Sequence, residues 1–212
     1  MKHTKVLVSA LLISVFVLNC TGCVGGKSFG PEALAEYAEK KGAESYKDAD
    51  DWSEAYYSAV DDFVDNDDGV YIHTQENTKT VTEPFFYNGG VEPDDITCYF
   101  IRDGVNMFTI TSMTIIDPKL AERYFGYLTD DIKTSNPDLE DYNYVKSESD
   151  FKRTISVVYY WGDEDLFAFN GFYYNYTESV VLRVIAVGEK DDVLDIVEDL
   201  GREFDLDLPE DM

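Results

Sequence analysis

The chain has 212 residues, of which 43 are Asp or Glu and 17 are Lys or Arg, so its formal net charge at neutral pH is −26. A negative field of this size repels nucleic acid, and no basic stripe accompanies the aromatic residues, so nucleic acid is excluded as a partner. The composition is 44% hydrophobic and 15% aromatic, which is enough to bury the core of one domain.

The N-terminus has the order of an export signal. Lys2, His3 and Lys5 make a positively charged start, and the apolar run of residues 6–18 is too short to span a membrane comfortably as a permanent helix. The run leads into residues 18–23, Leu-Asn-Cys-Thr-Gly-Cys, which glycines soon follow. This segment resembles the lipobox of bacterial lipoproteins, in which signal peptidase II cuts before a cysteine that carries diacylglycerol and becomes the mature N-terminus.

Two cysteines compete for the lipid. Thr21 and Gly22 place small residues directly before Cys23, as the peptidase requires, whereas Asn19 precedes Cys20. Cys20 itself departs from the lipoprotein pattern, because it stands where leucine usually lies, three residues before the modified cysteine. The resemblance therefore implies lipidation at Cys23, and the alternatives are lipidation at Cys20 or an uncleaved N-terminal anchor.

The resemblance divides the chain into three regions. Residues 1–22 are expected to be a signal peptide, residues 23–30 the lipidated cysteine with a flexible tether, and residues 31–212 a single domain with a short acidic C-terminal tail. The two chains of a diacylglycerol group suffice for stable attachment, so we expect an exported domain held at the outer face of the bacterial cell membrane.

Cleavage before Cys23 would also change the charge and the cysteine count. It removes two lysines and no acid, which leaves 15 basic against 43 acidic residues and a net charge of −28. Cys98 is then the one cysteine besides Cys23, so the domain has no intramolecular disulfide and must be stabilised by packing.

Four helices are predicted from capping residues and apolar spacing. Pro31 suits a first helical turn, and the sequence Lys-Lys-Gly that ends at Gly42 is typical of a helix end. Asp51 and Glu54 have the spacing of a capping box, and Pro118 again marks a first turn. The predicted helices cover residues 31–41, 51–64, 118–132 and 191–201.

Runs of β-branched and aromatic residues between turn formers predict the strands. The dipeptide Asp103-Gly104 favours a two-residue hairpin turn, and two short polar connections near the C-terminal half favour an antiparallel meander of three strands. Residues 134–150 are predicted to be a polar loop. The predicted strands cover residues 70–74, 80–87, 96–102, 105–116, 154–161, 166–174 and 179–187.

This order of elements indicates the α+β class. We expect one domain with an antiparallel sheet, made of the hairpin and the meander, and helices packed on one face of that sheet. The first two predicted helices would form a cap on the domain.

Few residues are available for catalysis. His73 is the one histidine that remains after export, which excludes multi-histidine metal sites, and no cofactor is expected. Cys98 and His73 could in principle act as nucleophile and base, but a small thiol in an alternating strand is ordinarily a core residue.

The strongest candidate for a cation site is the acidic segment before Gly69. Asp65, Asp67 and Asp68 offer the oxygen ligands that calcium prefers, although their spacing does not fit the EF-hand loop. The alternative interpretation is a solvated helix end that turns into a strand through Gly69.

Aromatic residues crowd the predicted meander on both faces of its strands. If helices cover only one face, Trp161, Tyr173 and Tyr174 could be exposed as a contact surface for a sugar or a protein. The alternative is a sheet that is buried on both faces.

The function that follows is a membrane-anchored surface lipoprotein with a non-enzymatic module that binds an unknown protein or glycan. Calcium is a further possible ligand. The alternatives are a small cell-envelope hydrolase that uses paired carboxylates and a subunit of an envelope assembly.

Overall fold

An eight-stranded β-sheet runs through the computed structural model, which describes residues 27–82, 91–135, 143–149, 152–161 and 166–209. Helices pack on the sheet, and the α+β class predicted from the sequence is confirmed. Among the described residues, no helix is long and apolar enough to cross a membrane. The signal peptide, Cys20 and Cys23 lie outside the described residues.

The helices and strands are numbered in chain order. The helices are α1 (Pro31–Lys40), α2 (Ala49–Asp61), α3 (Thr78–Thr82), α4 (Pro118–Ser135) and α5 (Lys190–Phe204). The strands are β1 (Glu44–Tyr46), β2 (Asn66–Thr74), β3 (Asp95–Asp103), β4 (Asn106–Thr114), β5 (Asn143–Glu148), β6 (Lys152–Trp161), β7 (Leu166–Asn175) and β8 (Val180–Gly188).

The strands lie in the order β1-β2-β3-β4-β8-β7-β6-β5, and all neighbours are antiparallel except β1 and β2. Strands β3 and β4 pair from Asp95 opposite Thr114 to Asp103 opposite Asn106, and Gly104 in the turn between them has a positive φ of 55°. Pairing of β4 with β8 joins the two halves of the chain into one sheet.

Three local sequence predictions were wrong. Residues 80–82, expected in a strand, belong to helix α3, and residues 83–87 of that expected strand lie outside the described residues. Residues 143–148, expected in a polar loop, form the edge strand β5. Helix α2 starts at Ala49 and not at the predicted Asp51. The Asp48 carboxylate caps it by accepting hydrogen bonds from the backbone N–H groups of Asp50 and Asp51 at 2.9 and 3.3 Å.

The two faces of the sheet each carry a hydrophobic core. Face A is the face onto which Ile72, Cys98 and Phe100 project, and helices α2, α3 and α4 contribute to its core. Face B is the opposite face, which carries Tyr99 and Leu182, and helices α1 and α5 contribute to its core.

The predicted cap of two N-terminal helices is therefore wrong, since α1 and α2 lie on opposite faces. The physical reason is that successive residues of a strand point to opposite faces, and both faces of β3 are apolar. Strand β1 follows α1 and precedes α2 in sequence, and it pairs with β2 at the edge of the sheet. The chain therefore passes from face B to face A around this edge.

The ordered domain begins before Pro31. The Phe29 side chain is fully buried in the face B core, and the Phe29 carbonyl accepts a hydrogen bond from Ser112 Oγ at 2.6 Å. The Pro31 carbonyl accepts one from Thr97 Oγ1, also at 2.6 Å. The prediction of a flexible tether over residues 23–30 is thus wrong for Phe29, because a buried aromatic ring fixes the chain to the sheet.

The acidic C-terminal segment also packs on the domain as far as the structure describes it. Leu206 and Leu208 contact the face B core, and the Asp207 carboxylate accepts hydrogen bonds from Ser147 and Thr154 at 2.5 and 3.3 Å. The end of the predicted tail beyond residue 209 lies outside the described residues.

Replacing Phe29 with alanine should destabilise the domain strongly. Loss of a fully buried ring should lower the free energy of unfolding by about 3–4 kcal/mol, or the melting temperature by about 10 °C for a domain of this size. Thermal unfolding followed by circular dichroism measures the change. The matched control is Ile116→Ala at a side chain that is 68% exposed, and an equally small effect of both substitutions would contradict the assignment of Phe29 to the core.

Candidate functional site

The predicted aromatic contact surface does not form at Tyr173 and Tyr174. Both side chains are buried, Tyr173 in the face B core and Tyr174 in the face A core. Their hydroxyls donate to the carbonyls of Asp207 and Pro118 at 3.3 and 3.4 Å. Because helices cover both faces, the prediction was wrong for these residues. The backbone of Trp161 pairs with Leu166 at the end of β6, and its side chain lies outside the described residues.

The three predicted cation ligands are exposed at the start of β2 and are not gathered into a site. Asp65 Oδ1 accepts a hydrogen bond from the backbone N–H of Gly104 at 2.9 Å, and the Asp68 carbonyl accepts one from the Tyr99 hydroxyl at 3.2 Å. Asp67 is likewise exposed. Within the described part of the chain, no group of three or more His, Cys, Asp or Glu residues could hold a metal ion.

The structure does not bring Cys98 and His73 together. Cys98 lies opposite Ile72 in the β2–β3 register, so it shares face A with Ile72, while His73 projects from the other face. Complete burial raises the pKa of the Cys98 thiol to about 12, although a hydrogen bond with Thr111 opposes the shift. His73 Nε2 lies 3.2 Å from the Asp95 carboxylate.

Cys98 should therefore be inert in the folded protein. We expect iodoacetamide at pH 8 to modify Cys98 only after denaturation, because the thiolate is the reactive form and the thiol has no access to solvent. Peptide mass spectrometry measures the extent of modification at this position. A cysteine introduced by Val105→Cys, at an exposed hairpin turn, is the reactive control, and equal rates at the two positions would refute the burial of Cys98.

A cleft of about 480 Å³ on face B is the candidate functional site, and we call it the α5 cleft. It begins where the β3–β4 turn meets the start of α5 and follows that helix. Its walls come from three parts of the chain that are distant in sequence. The residues lining it are Lys41, Asp103, Asn106, Phe108, Asp192, Asp195, Ile196, Asp199 and Arg202.

Asn106 joins the sheet to helix α5 at one end of the α5 cleft. Its amide Nδ2 donates to Asp192 Oδ2 at 2.7 Å, and its Oδ1 accepts from the backbone N–H of Glu189 at 2.8 Å. The side chain of Asn106 is buried, and a Cβ atom at Gly188 would overlap its oxygen. Glycine at position 188 therefore permits the close approach that positions Asp192.

Asp199 is the centre of a second cluster in the α5 cleft. It accepts a hydrogen bond from the Tyr37 hydroxyl at 2.7 Å and pairs with Lys41 Nζ at 2.8 Å, while an Arg202 nitrogen lies 3.6 Å away. Burial acts to raise the pKa of Asp199, but the hydrogen bonds from Lys41 and Tyr37 and the positive charge of Lys41 outweigh it and hold the pKa below its ordinary value. Burial and the bond to Asp199 raise the pKa of Tyr37, so its hydroxyl stays protonated as the donor.

The α5 cleft can bind polar groups of either charge. Asp103 and Asp195 have exposed carboxylates with no partner among the described residues, whereas Lys41 and Arg202 offer partly exposed cations. Asp199 is held ionised by its partners, which is opposite to what a general acid requires.

Sequence reasoning missed the α5 cleft, although one signal was available. Asp192, Asp195 and Asp199 recur at the spacing of one helix face, and Asp199 follows Asp192 by seven positions, a rise of about 10 Å. The partners Lys41 and Asn106 come from other elements, and nothing in the local sequence links them to α5.

The chain matches none of the protein families, curated proteins and solved structures compared with it.

The Asp199 cluster should make stability depend on pH. Because the folded-state pKa is lowered, the ionised carboxylate stabilises the fold above the ordinary value of 3.8, and this contribution is lost as the pH falls through the folded-state pKa. Asp199→Asn should therefore cost about 0.5–1 kcal/mol at pH 7 and progressively less below pH 4. Urea unfolding of the parent protein and of Asp199→Asn at pH 7 and at pH 3 measures this difference in the free energy of unfolding.

The control for that experiment is Asp195→Asn on the same helix. Its exposed carboxylate has no partner among the described residues, so the substitution should leave the pH dependence unchanged. A cost of Asp199→Asn that stays constant from pH 7 to pH 3 would contradict the linkage.

Proposed function

We propose that the chain is a bacterial surface lipoprotein, anchored through Cys23 to the outer face of the cell membrane, whose domain is a non-enzymatic binding module. The lipobox resemblance of residues 18–23 supports the anchor, and the observation that supports an outward-facing module is the point at which the chain reaches the fold. Phe29 packs beside Ser112, at the end of the sheet opposite to the one where the α5 cleft begins, so an anchored domain would direct that part of the cleft away from the membrane.

Contacts of residues 27–29 define the membrane-facing end. Ser28 Oγ donates to Glu178 in the β7–β8 turn at 2.9 Å, and Lys27 Nζ donates to the Arg202 carbonyl at 2.8 Å. Phe29 is only six residues beyond Cys23, which spans about 20 Å at full extension. The domain would therefore stand close to the bilayer with the β7–β8 turn toward it.

The other end of the sheet would face outward. Strands β3 and β4 have nine residues each, so their far ends lie about 30 Å from their near ends. The far end carries the start of the α5 cleft and the exposed apolar side chains of Val105, Phe63 and Val64. A polar cleft beside exposed apolar residues suits recognition of a protein or a glycan.

The net charge of the domain is consistent with attachment through a covalent lipid. A net charge of −28 after cleavage, 15 basic against 43 acidic residues, repels anionic lipid within a Debye length of about 8–10 Å. The covalent lipid would supply the attachment that this surface does not.

The anchor is tested by replacing each cysteine in turn. Cys23→Ala should release the protein from the membrane fraction and abolish incorporation of labelled fatty acid, whereas the matched Cys20→Ala variant should keep both. Fractionation and metabolic labelling of cells are the measurements. Retention of the label in Cys23→Ala with loss in Cys20→Ala would move the anchor to Cys20, and retention in both would refute the lipoprotein assignment.

The orientation and the binding role are tested by photo-crosslinking in cells. A crosslinking residue at position 105 reports on the far end, and one at position 116 reports on the membrane-facing end; the native side chains there are 54% and 68% exposed. We expect a discrete adduct with a protein or glycan from position 105 and lipid adducts from position 116. The same adducts from both positions would contradict the proposal.

A further inference from the structure

Arg102 is a mostly buried arginine with no charged partner among the described residues. The residue is 8% exposed, and its Nε finds no hydrogen-bond acceptor. None of the carboxylates in the described part of the chain forms an ion pair with it, although acidic residues are abundant and five of them lie between positions 61 and 68. The terminal nitrogens of the guanidinium are not among the buried atoms that lack a partner, so they reach solvent and can bind an anionic group.

We propose that Arg102 is the carboxylate-binding residue of a site for a free apolar α-amino acid at the far end of face A. The guanidinium would hold the α-carboxylate, Phe63 and the neighbouring sheet residues would contact the apolar side chain, and the acidic segment around Phe63 would attract the α-ammonium. The site lies on the opposite face from the α5 cleft and does not depend on the lipid anchor.

Phe63 supplies the first wall of the Arg102 site. The guanidinium carbon of Arg102 lies 4.8 Å from the centre of the Phe63 ring, within the range of a cation–π contact. The ring is nevertheless 69% exposed, and Phe63 has a positive φ of 52°, which strains an aromatic residue. The fold therefore holds an exposed aromatic ring above a buried cation at a cost in conformational energy.

The sheet supplies an apolar floor. Met107 lies directly opposite Arg102 in the β3–β4 register, and Val187 lies opposite Met107 on β8, so the three side chains share face A at neighbouring positions. Met107 and Val187 are both only partly buried. An apolar ligand group beside Arg102 would complete their burial.

The surrounding charges select a zwitterion. Phe63 is flanked in sequence by the exposed carboxylates of Asp61, Asp62 and Asp65, and the Asp65 side chain is fixed on the Gly104 backbone at 2.9 Å. A plain anion would be repelled by these groups before it reached Arg102. A ligand with an ammonium group next to its carboxylate is attracted by both charges, whereas a second copy of this acidic chain would be repelled.

The test uses calorimetric titration of the purified full chain in detergent with L-phenylalanine as the probe. L-Phenylalaninamide lacks the carboxylate, and 3-phenylpropanoate lacks the ammonium group. We expect phenylalanine to bind and each analogue to bind at least tenfold more weakly. The absence of phenylalanine binding, or binding of all three with similar affinity, would overturn the proposal.

Two substitutions at position 102 separate a binding role from a structural one. Arg102→Met should weaken phenylalanine binding at least tenfold with little change in the melting temperature, because methionine keeps an apolar stem that can contact the Phe63 ring. Arg102→Lys keeps the charge but loses the planar pair of donors and should bind with intermediate affinity. Arg123→Met, at an exposed arginine of α4, is the matched control and should bind like the parent protein.

A drop of several degrees in melting temperature for Arg102→Met would assign Arg102 to the structure and overturn the proposal. The attraction of the acidic segment for the ammonium group is tested by the double variant Asp62→Asn/Asp65→Asn, which keeps one side-chain oxygen at each position and removes the charges. This variant should bind phenylalanine more weakly, with an affinity closer to that of the parent protein for 3-phenylpropanoate. An unchanged affinity would show that these carboxylates do not attract the ammonium group.

Discussion

A sheet that is apolar on both faces imposes the architecture of this domain. In β3, Cys98 and Phe100 project to face A while Tyr99 and Ile101 project to face B, and all four are buried. Each face must then be covered by helices, which requires the chain to pass from one side of the sheet to the other. The same covering buries Tyr173 and Tyr174, and the α5 cleft begins at one end of the sheet, along the margin of a helix.

The entry of the chain gives the two ends of the sheet different roles. The buried Phe29 ring and the bond from Ser112 to its carbonyl fix the N-terminal segment beside the β7–β8 turn. The acidic residues before β2, the β3–β4 turn and the start of α5 all lie at the other end. Under the proposed lipid anchor, this asymmetry becomes an orientation with respect to the membrane.

Cations in this acidic chain occupy two contrasting environments. Lys41 and Arg202 surround Asp199 at the surface, where paired charges interact modestly through solvent. Arg102 is mostly buried beneath Phe63, and no carboxylate of the described residues pairs with it. The abundance of acidic residues makes the second case informative.

Local signals in the sequence predicted the α+β class and the approximate bounds of helices α1, α4 and α5, because periodicity and capping residues are local. The same signals did not predict α3 or β5, and the hairpin turn lies at Gly104 and Val105, one residue beyond the predicted dipeptide. The sequence also carried the lipobox resemblance, which is a local pattern. Three features became visible only in the folded chain: which faces of the sheet are covered, the burial of Phe29 in the core, and the burial of Tyr173 and Tyr174. Three contacts between distant segments also form only in the folded chain: Asn106 with Asp192, Tyr37 with Asp199, and Phe63 with Arg102. Burial and pairing depend on contacts between distant segments, and the intrinsic preferences of a short stretch of sequence do not encode them.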